Sequence, residues 1–115
     1  MSDCLFCKIV KGEIPVKKVF EDHEMIAFHD IHPRAPMHLL VVPKRHIESL
    51  ATAQAEDAQL LGRMMTCLKG LAIENGSPNG FRTVVNSGEV GRQEVYHLHI
   101  HVLGGPVPLG SSASF

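Results

Sequence analysis

Apolar residues recur along the chain at two different periods, and the switches between them mark out its elements. Leu5, Phe6, Ile9 and Val10 keep helical spacing between Asp3 and Gly12. This reads as a short helix over residues 4–11, capped by Asp3, with those four side chains buried. Residues 19–21 and 25–28, separated by Asp22-His23-Glu24, read as a hairpin. A proline-bearing loop, residues 32–36, leads to a third strand over 38–42 that stops at Pro43. From about residue 55 to 75, Leu60, Leu61, Met64, Met65, Leu68, Leu71 and Ala72 hold the 3.6-residue period and Gly76 supplies a stop, which predicts the one long helix. Two more strands are expected over 81–86 and 95–103, joined by SGEVGRQE, whose glycines permit tight turns. Residues 107–115 have no period and are expected to form an irregular tail. Short connections and an excess of strands over helices give an α+β class, with an antiparallel sheet covered on one side by the long helix.

The last strand carries an unusual pattern, HLHIHVLGG over residues 97–105. Alternation puts His97, His99 and His101 on one face and Leu98, Ile100 and Val102 on the other. Each imidazole brings two ring nitrogens that must be satisfied, so the row must face a partner, a ligand or a metal.

At 115 residues the chain accommodates one domain, residues 1–115. The formal net charge of −1 leaves no electrostatic footprint for nucleic acid or an anionic membrane, so neither is expected as a partner. Any anionic ligand must be held by local donors. The longest apolar run before Pro43, residues 39–42, is far short of a membrane span. The opening MSDCLFCKIVKGEIP lacks a secretory pattern, which points to the cytoplasm. Three cysteines cannot all pair, so reduced thiols are expected, with Cys67 in the core on the helical stripe. Cys4 and Cys7, at i and i+3, put both sulfurs on one side of a helical turn. They are either two half-buried thiols or half of a tetrahedral zinc site, which would need two further ligands.

Together these segments resemble the histidine triad (HIT) family. HLHIHVL fits its His-φ-His-φ-His-φ-φ pattern, VVNSGEVGRQEVYHLHIHVLGG resembles its Asn-x-Gly stretch, Gln-Glu-Val and double glycine, and FHDIHPRAPMHLLVVPKRHI resembles its nucleotide-binding strand and loop. Similarity extends from about Cys4 to Pro106 and is greatest with the Hint-like, purine nucleoside phosphoramidase branch in a bacterial form. The resemblance implies a HIT fold assembled as a homodimer. It also implies that His99 is the nucleophile toward the α-phosphorus of a purine nucleotide. A neutral imidazole suits that task near pH 7. By the same resemblance His101 contacts phosphate and leaving group, His38 completes a proton relay with His101, and His97 is the first histidine of the catalytic row. Asp30 would accept from the ribose hydroxyls, and Leu5, Phe6, Ile9, Phe28 and Ile31 would wall the base slot, although each is also plain core. Asn86 and the segment with Gln93, Glu94 and Val95 would cradle phosphate. Some members carry a hydroxyl residue where this chain has Glu94, so only its backbone N–H is carried over. Some relatives bind zinc with the residues corresponding to Cys4, Cys7, His46 and His97.

The implied function is hydrolysis of the P–N bond of purine nucleoside 5′-phosphoramidates, of the AMP-amine or aminoacyl-adenylate type. It would pass through a nucleotidyl-histidine, with no cofactor in the chemistry and zinc in a structural role. Alternatives are a nucleotide-binding regulator with little turnover, a dinucleoside polyphosphate hydrolase, and a zinc hydrolase built on the HxH pair and a third histidine.

Overall fold

The computed structural model describes residues 4–111. A short helix, α1 (Leu5–Val10), precedes three strands, β1 (Lys18–Glu21), β2 (Met25–His29) and β3 (Met37–Pro43). A 3-10 turn at Ala55–Asp57 opens into α2 (Ala58–Thr66) and α3 (Leu68–Glu74), followed by β4 (Arg82–Val84) and β5 (Ile100–Gly104). All pairings are antiparallel, in the order β1-β2-β3-β5-β4. None of the described helices is long and apolar enough to cross a membrane.

Both faces of the sheet centre are covered, which explains why all seven residues of β3 are buried. On one face Met25, Ala27, Met37, Leu39, Val41, Ile100 and Val102 pack with Leu60, Met64, Leu68, Leu71 and Ala72 of the helices. On the other, Ile26, Phe28, Leu40 and Val42 pack with Phe6 and Ile9 of α1. The period of two thus sends one half of each strand to the large core and the other half to the side where the histidines gather.

Several boundaries differ from the sequence expectations for local reasons. The long helix is interrupted for one residue at Cys67, whose thiol donates to the Met64 carbonyl at 3.2 Å. Cys67 packs against the core only partly buried. Helix α1 is capped by Cys4, whose Sγ accepts the Cys7 N–H at 3.3 Å. Asp3, the expected cap, lies outside the described residues. With six residues α1 buries only the Phe6 and Ile9 stripe, and Leu5 is 42% exposed. The last strand begins at Ile100 rather than 95, because the Leu98 N–H turns to the Ile47 carbonyl at 2.7 Å and the His97 N–H to the Val95 carbonyl at 2.9 Å. Strand β4 is correspondingly short, since it pairs only with residues 101–103. Residues 107–111 of the expected tail carry no regular structure, and residues 112–115 lie outside the described part.

Candidate active site

Of the three alternating histidines only His101 lies within β5, yet the rings still line one side. His99 and His101 centroids are 5.0 Å apart, and Phe6 of α1 meets His99 edge-on at 5.0 Å and His97 at 5.9 Å. Strand register brings in the fourth histidine. His38 pairs with Leu103 and Leu40 with His101, so His38 and His101 are diagonal neighbours on one face, within reach of long side chains. Their Nε2 and Nδ1 atoms are 3.0 Å apart. Asp30 follows β2, its N–H donating to the His38 carbonyl at 3.0 Å. Its Oδ1 accepts the His32 N–H at 2.8 Å and its Oδ2 lies 3.4 Å from His38 Nε2.

The tautomers of His99, His97 and His38 are set by backbone groups. His99 Nδ1 lies 2.8 Å from the His97 carbonyl. A carbonyl only accepts, so the proton sits on Nδ1 and Nε2 holds a lone pair. His97 Nε2 lies 2.7 Å from the Pro43 carbonyl, so its lone pair is on Nδ1. The Arg34 N–H donates to His38 Nδ1 at 3.0 Å, which leaves the His38 proton on Nε2. Burial pushes the pKa of His38, His97 and His99 below the ordinary imidazole value. Burial, with His99 and His38 beside it, brings His101 down to about 4. The site is therefore neutral imidazole at physiological pH, a nucleophilic and hydrogen-bonding set.

Behind His99 the two cysteines converge on two further histidines. Cys4 Sγ is 3.2 Å and Cys7 Sγ 3.6 Å from His97 Nδ1, and Cys7 Sγ is 3.3 Å from His46 Nδ1. All four ligand atoms lie within 4.8 Å of one another. Two sulfurs and two imidazole nitrogens are the donor types that structural zinc sites use, and the Pro43 carbonyl on His97 Nε2 turns that ring's lone pair toward the sulfurs. The donor set fits zinc. Asp30, His38 and His101 also cluster within 4.8 Å, but there the Arg34 amide commits His38 Nε2 to carrying a proton, so that atom is not a metal ligand while the loop holds this form.

The remaining site residues surround this line. Phe6, Ile9 and Phe28 are buried together, Phe6 edge-on to Phe28 at 6.0 Å, while Leu5 and Ile31, the latter 80% exposed, stand at the surface. Asn86 is half-buried and Glu94 exposed, but the Glu94 carboxylate is near enough to favour the charged form of His99. Gln93 is buried and its side chain is spent on the loop. It accepts the Gly88 N–H at 2.9 Å and donates to the carbonyls of Glu48 and Val95 at 2.7 and 3.0 Å. Val95 packs against the Phe6 cluster. Gly91 is required here, because a Cβ would come within 2.7 Å of the Ser87 backbone. What the sequence analysis missed are main-chain groups: the Arg34 N–H and the carbonyls of His97 and Pro43. Any residue type supplies these groups, so no sequence signal marks them.

With this geometry in view, the chain belongs to the histidine triad family. Residues 3–113 match the family described as "Scavenger mRNA decapping enzyme C-term binding". The chain is 51% identical to Protein HitA of Neisseria gonorrhoeae over 93% of its own length and all of that protein. Among solved structures it resembles a HIT family hydrolase from Legionella pneumophila Philadelphia 1, at 48% identity and a TM-score of 0.86, covering 90% of this chain and 93% of that one. It also resembles a zinc-bound histidine triad family protein from Mycobacterium smegmatis, at 29% identity and a TM-score of 0.80, covering 99% and 81% respectively.

Proposed function

We propose that this protein hydrolyses the P–N bond of purine nucleoside 5′-phosphoramidates, of the AMP-amine or aminoacyl-adenylate type, and releases AMP. The observation that carries the reading is the His99 ring: its Nδ1–H is held by the His97 carbonyl at 2.8 Å, and burial disfavours its charged form. That leaves Nε2 unprotonated at neutral pH, as nucleophilic attack requires. The 48% identity to a protein described as a HIT family hydrolase supports a hydrolase over a binding-only protein.

His99 Nε2 attacks the α-phosphorus, the P–N bond of the substrate breaks, and the amine departs with a proton. Water then cleaves the bond between phosphorus and His99, giving AMP and the free imidazole. Phe6, Ile9 and Phe28 form the base slot, with Leu5 and Ile31 at its lip. Asp30 accepts from the ribose hydroxyls through lone pairs that His32 and His38 leave unused. Asn86 and the backbone N–H groups of Gln93, Glu94 and Val95 supply donors for phosphate, in keeping with a nearly neutral chain. His101 stands one pleat from the nucleophile, placed to contact phosphate and leaving group.

Zinc, held by Cys4, Cys7, His46 and His97, would tie α1 and its base-slot wall to the sheet and leave no open position for substrate. It would supply folding energy and no reaction step. The protein acts as a homodimer in the cytoplasm, in keeping with its free thiols and with exposed Met65, Ile73 and Phe81 as apolar surface for an isologous contact. A monomer by sedimentation at micromolar concentration would count against the dimer.

The test is turnover of adenosine 5′-phosphoramidate by wild type and His99→Ala, with radiolabelled substrate quenched in base. Wild type should trap AMP on protein; His99→Ala should lose several orders of magnitude in turnover while still binding AMP. Near-normal turnover by His99→Ala would overturn the covalent route.

A further inference from the structure

The sulfurs of Cys4 and Cys7 belong to a group of four atoms that all lie within 4.8 Å of one another. Cys4 stands just before α1 with extended backbone angles, φ −76° and ψ 118°, and its Sγ is turned onto the Cys7 N–H at 3.3 Å. The pair is open to small solutes, since both residues are only half-buried and His46, 3.3 Å from Cys7 Sγ, is exposed. Cys67 is on the other side of the sheet. It packs into the core under α2 and α3, whereas Cys4 packs with Phe6, Ile9 and Phe28. Of the chain's three cysteines, Cys4 and Cys7 can therefore reach only each other. We propose that Cys4 and Cys7 are a redox pair: a hydroperoxide closes them into a disulfide, which dismantles the zinc set and shifts the α1 wall of the base slot. Closure of the pair stands apart from the proposed reaction, and its effect on nucleotide binding rests on the reading of Phe6 as a base-slot wall.

One sulfur, as thiolate, attacks the terminal peroxide oxygen; the O–O bond breaks, the alcohol departs with the thiol proton, and a sulfenic acid remains. The second thiol attacks that sulfur, the S–O bond breaks, and the oxygen leaves as water. Two thiols have then lost two electrons, and one hydroperoxide has been reduced to alcohol and water. When both sulfurs start as zinc thiolates, two solvent protons stand in for the thiol protons. The metal leaves with its charge unchanged, because the thiolate and not the disulfide is its ligand. Two contacts carry the change to the active site. His97 Nδ1 lies 3.2 and 3.6 Å from the two sulfurs while its Nε2–H is committed to the Pro43 carbonyl, and a disulfide has no proton to give this fully buried acceptor. Phe6, between the two cysteines in sequence, meets His99 at 5.0 Å and Phe28 at 6.0 Å, so a change in this turn moves a wall of the slot. A ring of four residues gains little from closure entropy, so a thiol reductant reopens it.

The test treats full-length protein, metal-free or loaded with zinc, with hydrogen peroxide, followed by alkylation, trypsin digestion and mass spectrometry. In both forms the peptide ending at Lys8 should become lighter by two hydrogens and refuse alkylation, while Cys67, in the peptide of residues 64–69, keeps its thiol. Loaded protein should release its zinc to a colorimetric chelator in step with that change, and dithiothreitol should restore both thiols. Cys7→Ser should stop at a Cys4 sulfenic acid, trapped with dimedone. AMP binding by calorimetry should weaken on oxidation and recover on reduction. Cys4 and Cys7 thiols that persist, cysteines that carry oxygen in wild type, links between chains, or oxidation of Cys67 ahead of the pair overturn the proposal, whether or not the variant folds. Protein that takes up no zinc overturns its metal half, and a closed disulfide with unchanged AMP affinity overturns the coupling to the base slot. If reduced wild type neither binds AMP nor turns over adenosine 5′-phosphoramidate, the function proposed above fails, and the peptide mass still decides the redox pair.

Discussion

Acid should destabilise this protein through its histidines, and His101 allows the size of the effect to be worked out. Its pKa is about 4 in the folded chain against an ordinary 6.5, so between those values the unfolded chain binds the proton that the native one refuses. Stability must then rise with pH. The contribution is complete above pH 6.5 and is lost as pH falls toward 4. At pH 4.5 the gap corresponds to at most about 2.6 kcal/mol. His101 is half-buried, so solvent screening brings this to about 1.5 kcal/mol. The assay is urea unfolding of wild type and His101→Gln at pH 7.5 and 4.5. The cysteine–histidine cluster is the same in both proteins, so its titration cancels in the difference between the two pH dependences, and what remains belongs to His101 together with the His38 and His99 rings beside it. Wild type should lose about 1.5 kcal/mol more than the variant over that range. Equal losses, or a steeper loss in the variant, would refute the reasoning, because His101 would then be free to charge in the native state.

Phe6→Ala should cost about 3 kcal/mol in the same unfolding assay, since it empties a buried aromatic site that meets Phe28, His97 and His99. It should also weaken AMP binding measured by calorimetry. Purified without chelator, the protein should contain about one zinc per chain by elemental analysis. Chelation should lower its melting temperature, and a metal-free protein with unchanged melting would remove the zinc site. Asp30→Ala should raise KM with little change in kcat in steady-state assays, as for a contact felt equally in ground and transition states.

Repeating patterns were legible in the sequence because they express local geometry. The 3.6-residue stripe from Leu60 to Ala72 and the alternation in β2 and β3 each report which side of an element meets the core, and five strands with a long and a short helix follow from them. The His97-His99-His101 spacing likewise placed three rings on one side, and that placement survived the late start of β5 at Ile100. The family resemblance added roles that periodicity could not supply. It named Cys4, Cys7, His46 and His97 as one set, which spacing alone left open; in the folded chain these side chains lie together although they are some 40 and 90 positions apart in sequence.

Tertiary structure decided the protonation of the site. The Pro43 carbonyl turns His97 toward the sulfurs, the His97 carbonyl frees His99 Nε2, and the Arg34 amide occupies His38 Nδ1. Sequence determines which side chains exist and how they repeat, but every residue except proline carries the same N–H and every residue the same C=O. Where these groups point depends on how a loop closes and where a strand stops. The chemistry of an imidazole, whose two nitrogens exchange roles according to their partner, is set at that level.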